Sequence, residues 1–163
     1  MLQKPLERGD VILTEFDARF CGYKSQFNQP FCVNQPDQEW REIFDVARES
    51  FNNAFKILKP GITAGQLDEA FLSPIHKAGY MHVNPCYHGM GASLEQPIGS
   101  YPGQPLYKLD TSLMIEAGMV IEFEPHVVRA DRKRGMSMGS PVLVTETGCR
   151  LLSKSWKPEL IIT

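Results

Sequence analysis

The chain has 163 residues, 42% apolar and 22% charged, enough for one domain with a sizeable core and too few for two. Lys and Arg number 17 against 19 Asp and Glu, with no basic block, so neither nucleic acid nor an acidic membrane surface is an expected partner. No stretch approaches the ~20 apolar residues of a membrane span, the opening "MLQKPLERGD" lacks the apolar run of a signal peptide, and Cys21, Cys32, Cys86 and Cys149 form no C-x-x-C pair, so reduced thiols and a cytoplasmic setting are expected.

In chain order, "DVILTEF" (10–16) and "ARFCGYKSQFNQPF" (18–31) read as two extended runs forming a hairpin, with Glu15 and Gln26 as polar inward positions. "NQPD" (34–37) is a stop and cap signal. Trp40, Ile43, Phe44, Ala47, Phe51, Ala54, Phe55 and Leu58 then recur at steps of three and four, one apolar stripe of a helix closed by "KPG" at 59–61. Thr63 opens a second helix with Gln66 three residues on, a capping box. Leu67, Ala70, Phe71, Ile75 and Ala78 form its apolar face, and Gly79 ends it. A Gly-rich turn (88–91) and a Pro- and Gly-rich loop (97–106) follow. Strands are expected over 119–128, 140–148 and 149–154. A hairpin, two helices and several strands in that order predict an α+β domain, with the helices on one face of an antiparallel sheet.

The stretch "MVIEFEPHVV" (119–128) poses the functional question. Met119, Ile121, Phe123 and Val127 alternate with Glu122, Glu124 and His126, so the latter share a strand face. A solvated face explains the alternation, with Pro125 disturbing the pleat; a cluster of Glu122, Glu124 and His126 around a ligand is the sharper reading. His88 lies between Cys86 and Gly89, and a lone histidine there is ordinarily packing or surface. Cys86 and His88 could share a face, which would let the imidazole activate the thiol; a small buried thiol is the commoner role. The charged "RADRKRG" (129–135) reads as a loop tip.

Taken together, five stretches resemble a known family. They are "GDVILTEFDARFCGYKSQFNQPF" (9–31), "LKPGITAGQLDEAF" (58–71), "YHGMG" (87–91), "EAGMVIEFEPHVV" (116–128) and "SPVLVTETGCRLLSK" (140–154). The chain is similar to the C-terminal part of the pita-bread catalytic domain of peptidase family M24, which includes methionine aminopeptidase, prolidase, aminopeptidase P and creatinase. The resemblance implies the pita-bread fold lacking its first part. It also implies a site that in the family's metallopeptidases holds two metal ions on two aspartates, one histidine and two glutamates.

Matched position by position, the aspartates fall on Glu15 and Gln26, the histidine on His88, and the glutamates on Glu124 and Gly139. Tyr87 stands where the family has glycine, and Glu95 where it has a second histidine. Two divalent ions would meet two carboxylates instead of four, and hard cations favour anionic oxygen. No cofactor is therefore expected; a single weakly held Mn, Co or Zn ion on Glu15, His88 and Glu124 is the fallback. Creatinase implies a metal-free route, with His88 moving protons and Glu124 anchoring a cation or orienting the ring.

The function expected is metal-independent hydrolysis of a C–N bond in a small nitrogenous molecule. His88 and Glu124 would be catalytic, with Glu15, Gln26, Tyr87, Glu122 and His126 around the substrate. A silent module binding peptide or protein is the alternative, and a metal-dependent Xaa-Pro peptidase a third. The ligand would be a small molecule or short peptide, and the wider partner a second copy of the chain or the remainder of a longer one.

Overall fold

The computed structural model describes residues 5–92, 94–104 and 108–163. Its first element is a long ribbon of β1 (Val11–Phe20) and β2 (Tyr23–Cys32). The turn is Cys21–Gly22, with φ of 49° and 85°. A two-residue turn with both φ values positive follows the twist of the strands it joins. The break expected at Asp17 is therefore absent, because nothing there interrupts the alternation. Glu15 lies opposite Asn28 and Asp17 opposite Gln26, so these four side chains share one face. The other face carries Phe16, Phe20, Tyr23 and Phe27, 37% to 82% exposed, with Phe16 stacked on Phe27 at 4.9 Å.

Both helices form where the apolar stripes predict them. In α1 (Gln38–Ile57) the cap is Asp37, whose carboxylate accepts from the Trp40 N–H at 2.9 Å. In α2 (Ala64–Lys77) the Thr63–Gln66 capping box closes in both directions, at 2.9 and 3.2 Å. The two helices meet through a buried bond from Ser50 Oγ to the Phe71 carbonyl at 2.7 Å.

They cover a five-stranded antiparallel sheet of order β4-β3-β5-β8-β9: β4 (Leu94–Ile98), β3 (Tyr87–Met90), β5 (Val120–Phe123), β8 (Ser140–Val144) and β9 (Cys149–Leu151). Phe123 anchors the interface, edge-on to Phe51 at 5.5 Å and to Phe71 at 4.8 Å. The α+β pita-bread arrangement expected from the sequence is thus present.

Local expectations shift in three places. Residues 87–90 are a strand and not a turn, so His88 is held by ladders on both sides. The loop expected from 97 begins later, since Pro97 and Ile98 belong to β4; residues 105 and 106 lie outside the described residues. The single strand expected over 119–128 is broken. Pro125 has no N–H for a ladder, and β5 stops before it. The chain resumes as β6 (His126–Val128), which pairs with β7 (Gly135–Ser137), a strand that "RADRKRG" concealed. A last short strand, β10 (Ile161–Ile162), lies parallel to β2.

The ribbon is tied to the sheet where the site forms. Asn28 and Gly139 exchange backbone bonds, at 3.0 and 2.9 Å, and Lys24 N–H reaches the Gly91 carbonyl at 2.8 Å. The polar face of the ribbon is thereby laid against the end of β5.

Candidate functional site

The break after β5 decides what Glu124 can do. Leaving the ladder at Pro125 turns its carboxylate toward the ribbon, and four side chains close on it. Gln26 Nε2 donates to Oε2 at 2.9 Å and Asn28 Nδ2 approaches the same oxygen at 3.4 Å. His88 Nε2 stands 3.3 Å from Oε1, and His126 Nε2 stands 3.6 Å from Oε2. Asn28 Nδ2 is held in turn by Ser137 Oγ at 3.0 Å. Glu124 is 7% exposed and His88 5%. This is a buried carboxylate between two imidazoles, braced by two amides.

The hydrogen bonds settle the proton on His88. Its Nδ1 lies 3.1 Å from the Gly89 carbonyl, which can only accept, so Nδ1 carries a hydrogen. Its Nε2 faces a carboxylate oxygen, another acceptor. With acceptors at both nitrogens the imidazolium is favoured. Burial acts to lower the pKa of His88, but the Glu124 carboxylate and the Gly89 carbonyl outweigh it and raise it above the usual value. Glu124 shows the reciprocal effect. Burial would raise it, yet the rings of His126 and His88 hold it at about 2.

The constellation opens into a cleft of about 400 Å³ lined by Glu15, Asp17, Lys24, Gln26, Asn84, Pro85, His88, Ile98, Tyr101, Glu124 and His126. Glu15 is at its rim, its pKa raised by partial burial and by the charges of Glu124 and Asp17. Five of the residues expected from the sequence are therefore together: His88, Glu124, Glu15, Gln26 and His126.

Two others are elsewhere. Tyr87, expected at the substrate, is 0% exposed; its hydroxyl donates to the Ala64 carbonyl at 2.7 Å and its ring stacks on Phe71 at 5.5 Å. Neighbours on a strand face opposite ways, and with His88 in the cleft Tyr87 is in the core. Glu122, also expected at the substrate, is 0% exposed and absent from the cleft lining; neither of its oxygens has a hydrogen-bond partner among the described residues. Burial, with the charge of Glu124 nearby, pushes its pKa well above the usual value. The solvated polar face expected for Glu122 and His126 is thus absent: Glu122 is buried, and His126, partly exposed, lines the cleft.

Cys86 is 1% exposed within the core, and burial pushes its thiol up to about 12, so it is no nucleophile. The side chain of Glu95 lies outside the described residues. Sequence reasoning missed Asp17 and Asn28. Both were readable, each two residues from a named position and so on the same face.

The dimetal centre implied by the family resemblance does not fit this site. The Gln26 amide spends an N–H on Glu124, where the family's aspartate would offer a second anion. At Gly139 the loss goes deeper than a missing side chain. A Cβ there would lie 2.3 Å from the Phe123 carbonyl oxygen and 3.0 Å from Glu122 Oε1, so the backbone has closed over the place a ligand would start from. Among the described residues no three His, Cys, Asp or Glu side chains converge as a group that could hold a metal ion.

The sequence model of metallopeptidase family M24 matches residues 2–146. The Xaa-Pro dipeptidase of Pyrococcus horikoshii is 30% identical over 153 residues, covering 93% of this chain and 42% of that protein. The Xaa-Pro dipeptidase of Pyrococcus furiosus is 29% identical over 154 residues, with the same two shares, 93% and 42%. The chain thus spans less than half the length of these relatives. Among solved structures, the prolidase from Pyrococcus furiosus superposes with a TM-score of 0.82 at 28% identity, over 96% of this chain and 44% of that one. Methionine aminopeptidase from Rickettsia prowazekii, at 18% identity and a TM-score of 0.77 over 92% of this chain and 66% of that one, shares the fold.

Proposed function

We propose that this chain, which belongs to metallopeptidase family M24, forms a hydrolytic site that cleaves a C–N bond in a small nitrogenous substrate without the dimetal centre. The observation that carries the reading is the His88–Glu124 pair, 3.3 Å apart and buried at the floor of a cleft. Breaking a C–N bond requires a proton on the departing nitrogen, and a histidine held as imidazolium is a stored proton. Water adds to the carbon, the C–N electron pair leaves with nitrogen, and the hydrogen that His88 Nε2 shares with Glu124 Oε1 passes to that nitrogen. The proton lost by the water then restores the imidazolium.

Glu124 serves as orienter and counter-ion. Its oxygens are already engaged by Gln26, Asn28 and the two rings, so it is poorly placed to anchor a substrate cation. That role suits Glu15 and Asp17 at the rim, which share a strand face and have no salt-bridge partner among the described residues. His126 also lines the cleft, its Nε2 paired with Glu124 Oε2 at 3.6 Å but beyond hydrogen-bond distance, and so offers a contact to the substrate.

The saturation of Glu124 also supports a second reading, a silent module that binds peptide in the same cleft. Either reading expects a small molecule or short peptide as ligand. It also expects a second copy of the chain, or the rest of a longer one, as the wider partner, and cytoplasmic residence. Among the described residues no helix is long and apolar enough to cross a membrane.

The test is hydrolysis of a panel of Xaa-Pro dipeptides, simple amides and guanidino compounds, in EDTA and again with Mn, Co or Zn. Turnover in EDTA that falls by at least ~100-fold in His88→Ala is the expected result, matching the usual worth of a general acid. Turnover only with added metal would refute the metal-free reading. No turnover with tight peptide binding would favour the module.

A further inference from the structure

One wall of the cleft is held by a polar cluster outside it. Asp68 on α2, His82 in the segment after that helix and Ser100 after β4 meet at a site where Asp68 is 6% exposed and His82 8%. Asp68 accepts two bonds from Ser100, from the backbone N–H to Oδ1 at 2.9 Å and from Oγ to Oδ2 at 2.8 Å. His82 Nε2 lies 3.3 Å from Ser100 Oγ. The serine hydrogen is committed to the carboxylate, so the serine oxygen accepts from the imidazole, giving one chain of donors from His82 through Ser100 to Asp68.

Residue 99 is fixed as tightly. Its N–H donates to the Tyr87 carbonyl at 2.9 Å, and a Cβ on it would lie 2.9 Å from the Tyr87 ring and 3.0 Å from Asp68 Oδ1. Ile98 and Tyr101, on either side of this pinned pair, both line the cleft.

We propose that Asp68 is a positioning residue for the cleft: by clasping Ser100 it sets where Ile98 and Tyr101 stand, and with them the shape of the wall that selects the substrate. The inference rests on the functional reading of the cleft given above. Asp68 itself touches no ligand; it acts through the segment that does. A buried carboxylate that takes two donors from one residue fixes that residue in both position and orientation, which a single bond does not. Ile98 and Tyr101 bring apolar and aromatic surface to a lining otherwise mostly charged or polar, so displacing them changes which substrates fit more than it changes the His88–Glu124 chemistry.

Asp68→Ala removes both acceptors, whereas Asp68→Asn keeps the shape and an acceptor for the Ser100 N–H, its amide hydrogen meeting the serine oxygen instead. In the full chain, hydrogen exchange at residues 98–101 is expected to quicken ~10-fold or more in Asp68→Ala and to stay within ~3-fold of wild type in Asp68→Asn, with β5 and α1 unchanged. Binding of the dipeptide Ala-Pro, followed by calorimetry, should weaken ~10-fold in Asp68→Ala and recover in Asp68→Asn. Ser100→Ala, which keeps the backbone bond, should fall between them and supplies the measurement if Asp68→Ala does not fold. Unchanged exchange at 98–101 in Asp68→Ala, or equal loss in Asp68→Ala and Asp68→Asn, would overturn the proposal. Failure of the wild-type chain to bind Ala-Pro would count against a peptide-binding cleft, while the exchange rates would still decide the clasp.

Discussion

At Glu122 a carboxyl group is fully buried with neither oxygen bonded among the described residues, and burial raises its pKa well above the ordinary value. The sign of its effect on stability follows. In the unfolded chain the acid ionises above its ordinary value of 4.5; folded, its raised pKa holds the proton to higher pH, so folding is increasingly disfavoured as pH rises past 4.5. Glu122→Gln removes the ionisation and keeps the volume. Its melting temperature should exceed wild type by about 3 °C at pH 8, the scale of a 1 kcal/mol change in a domain of this size, and match it at pH 4. An equal gain at both pH values would show that ionisation is not the cause. Glu124 works in the opposite direction: held at about 2, it contributes stability above 4.5 that is lost as pH falls toward 2.

Period two puts Glu122, Glu124 and His126 in one row, but it shows neither the break at Pro125 nor what lies against each side chain. That is why a solvated row and a buried one looked alike in the sequence. Tyr87 failed for a related reason: matching it to a family position carried no information about which way it faces.

Among the elements, the helices were the most legible because their caps and stripes are local. Asp37 illustrates how a local signal acquires a distant role. Besides capping α1, it pairs with Arg134 Nη1 at 2.7 Å, and Arg134 also lies over the Trp40 ring at 5.2 Å and 3.0 Å from Glu39. The β6–β7 ribbon, which carries His126, is thus pinned to the first turn of α1. Asp37→Ala should cost about 1 kcal/mol through the lost cap, the exposed ion pair adding little, and chemical denaturation would measure it. A loss above about 3 kcal/mol would mean the ion pairs matter far more than exposed ones do.

Strand limits were less legible. β5 and β6 read as one strand because their alternation continues in phase across Pro125, and only the partner strands reveal that they belong to different sheets. β7 was hidden because "RGMS" has no run long enough to signal a strand, and it forms through its pairing with β6.

Across the whole molecule, the ribbon divides two environments. One face forms the cleft with the sheet; the other presents Phe16, Phe20, Tyr23 and Phe27 to solvent. Both strands alternate polar and apolar residues, so the sequence alone does not say which face meets the sheet.

A cleft whose central carboxylate is bonded by Gln26 and paired with two imidazoles should not retain a pair of metal ions. Calorimetric titration of the metal-free chain with Mn²⁺ at pH 7.5, checked by metal content after dialysis, tests that most directly. The account predicts no stoichiometric uptake at micromolar Mn²⁺. Two ions bound per chain, with the affinity lost in Glu124→Ala, would contradict it.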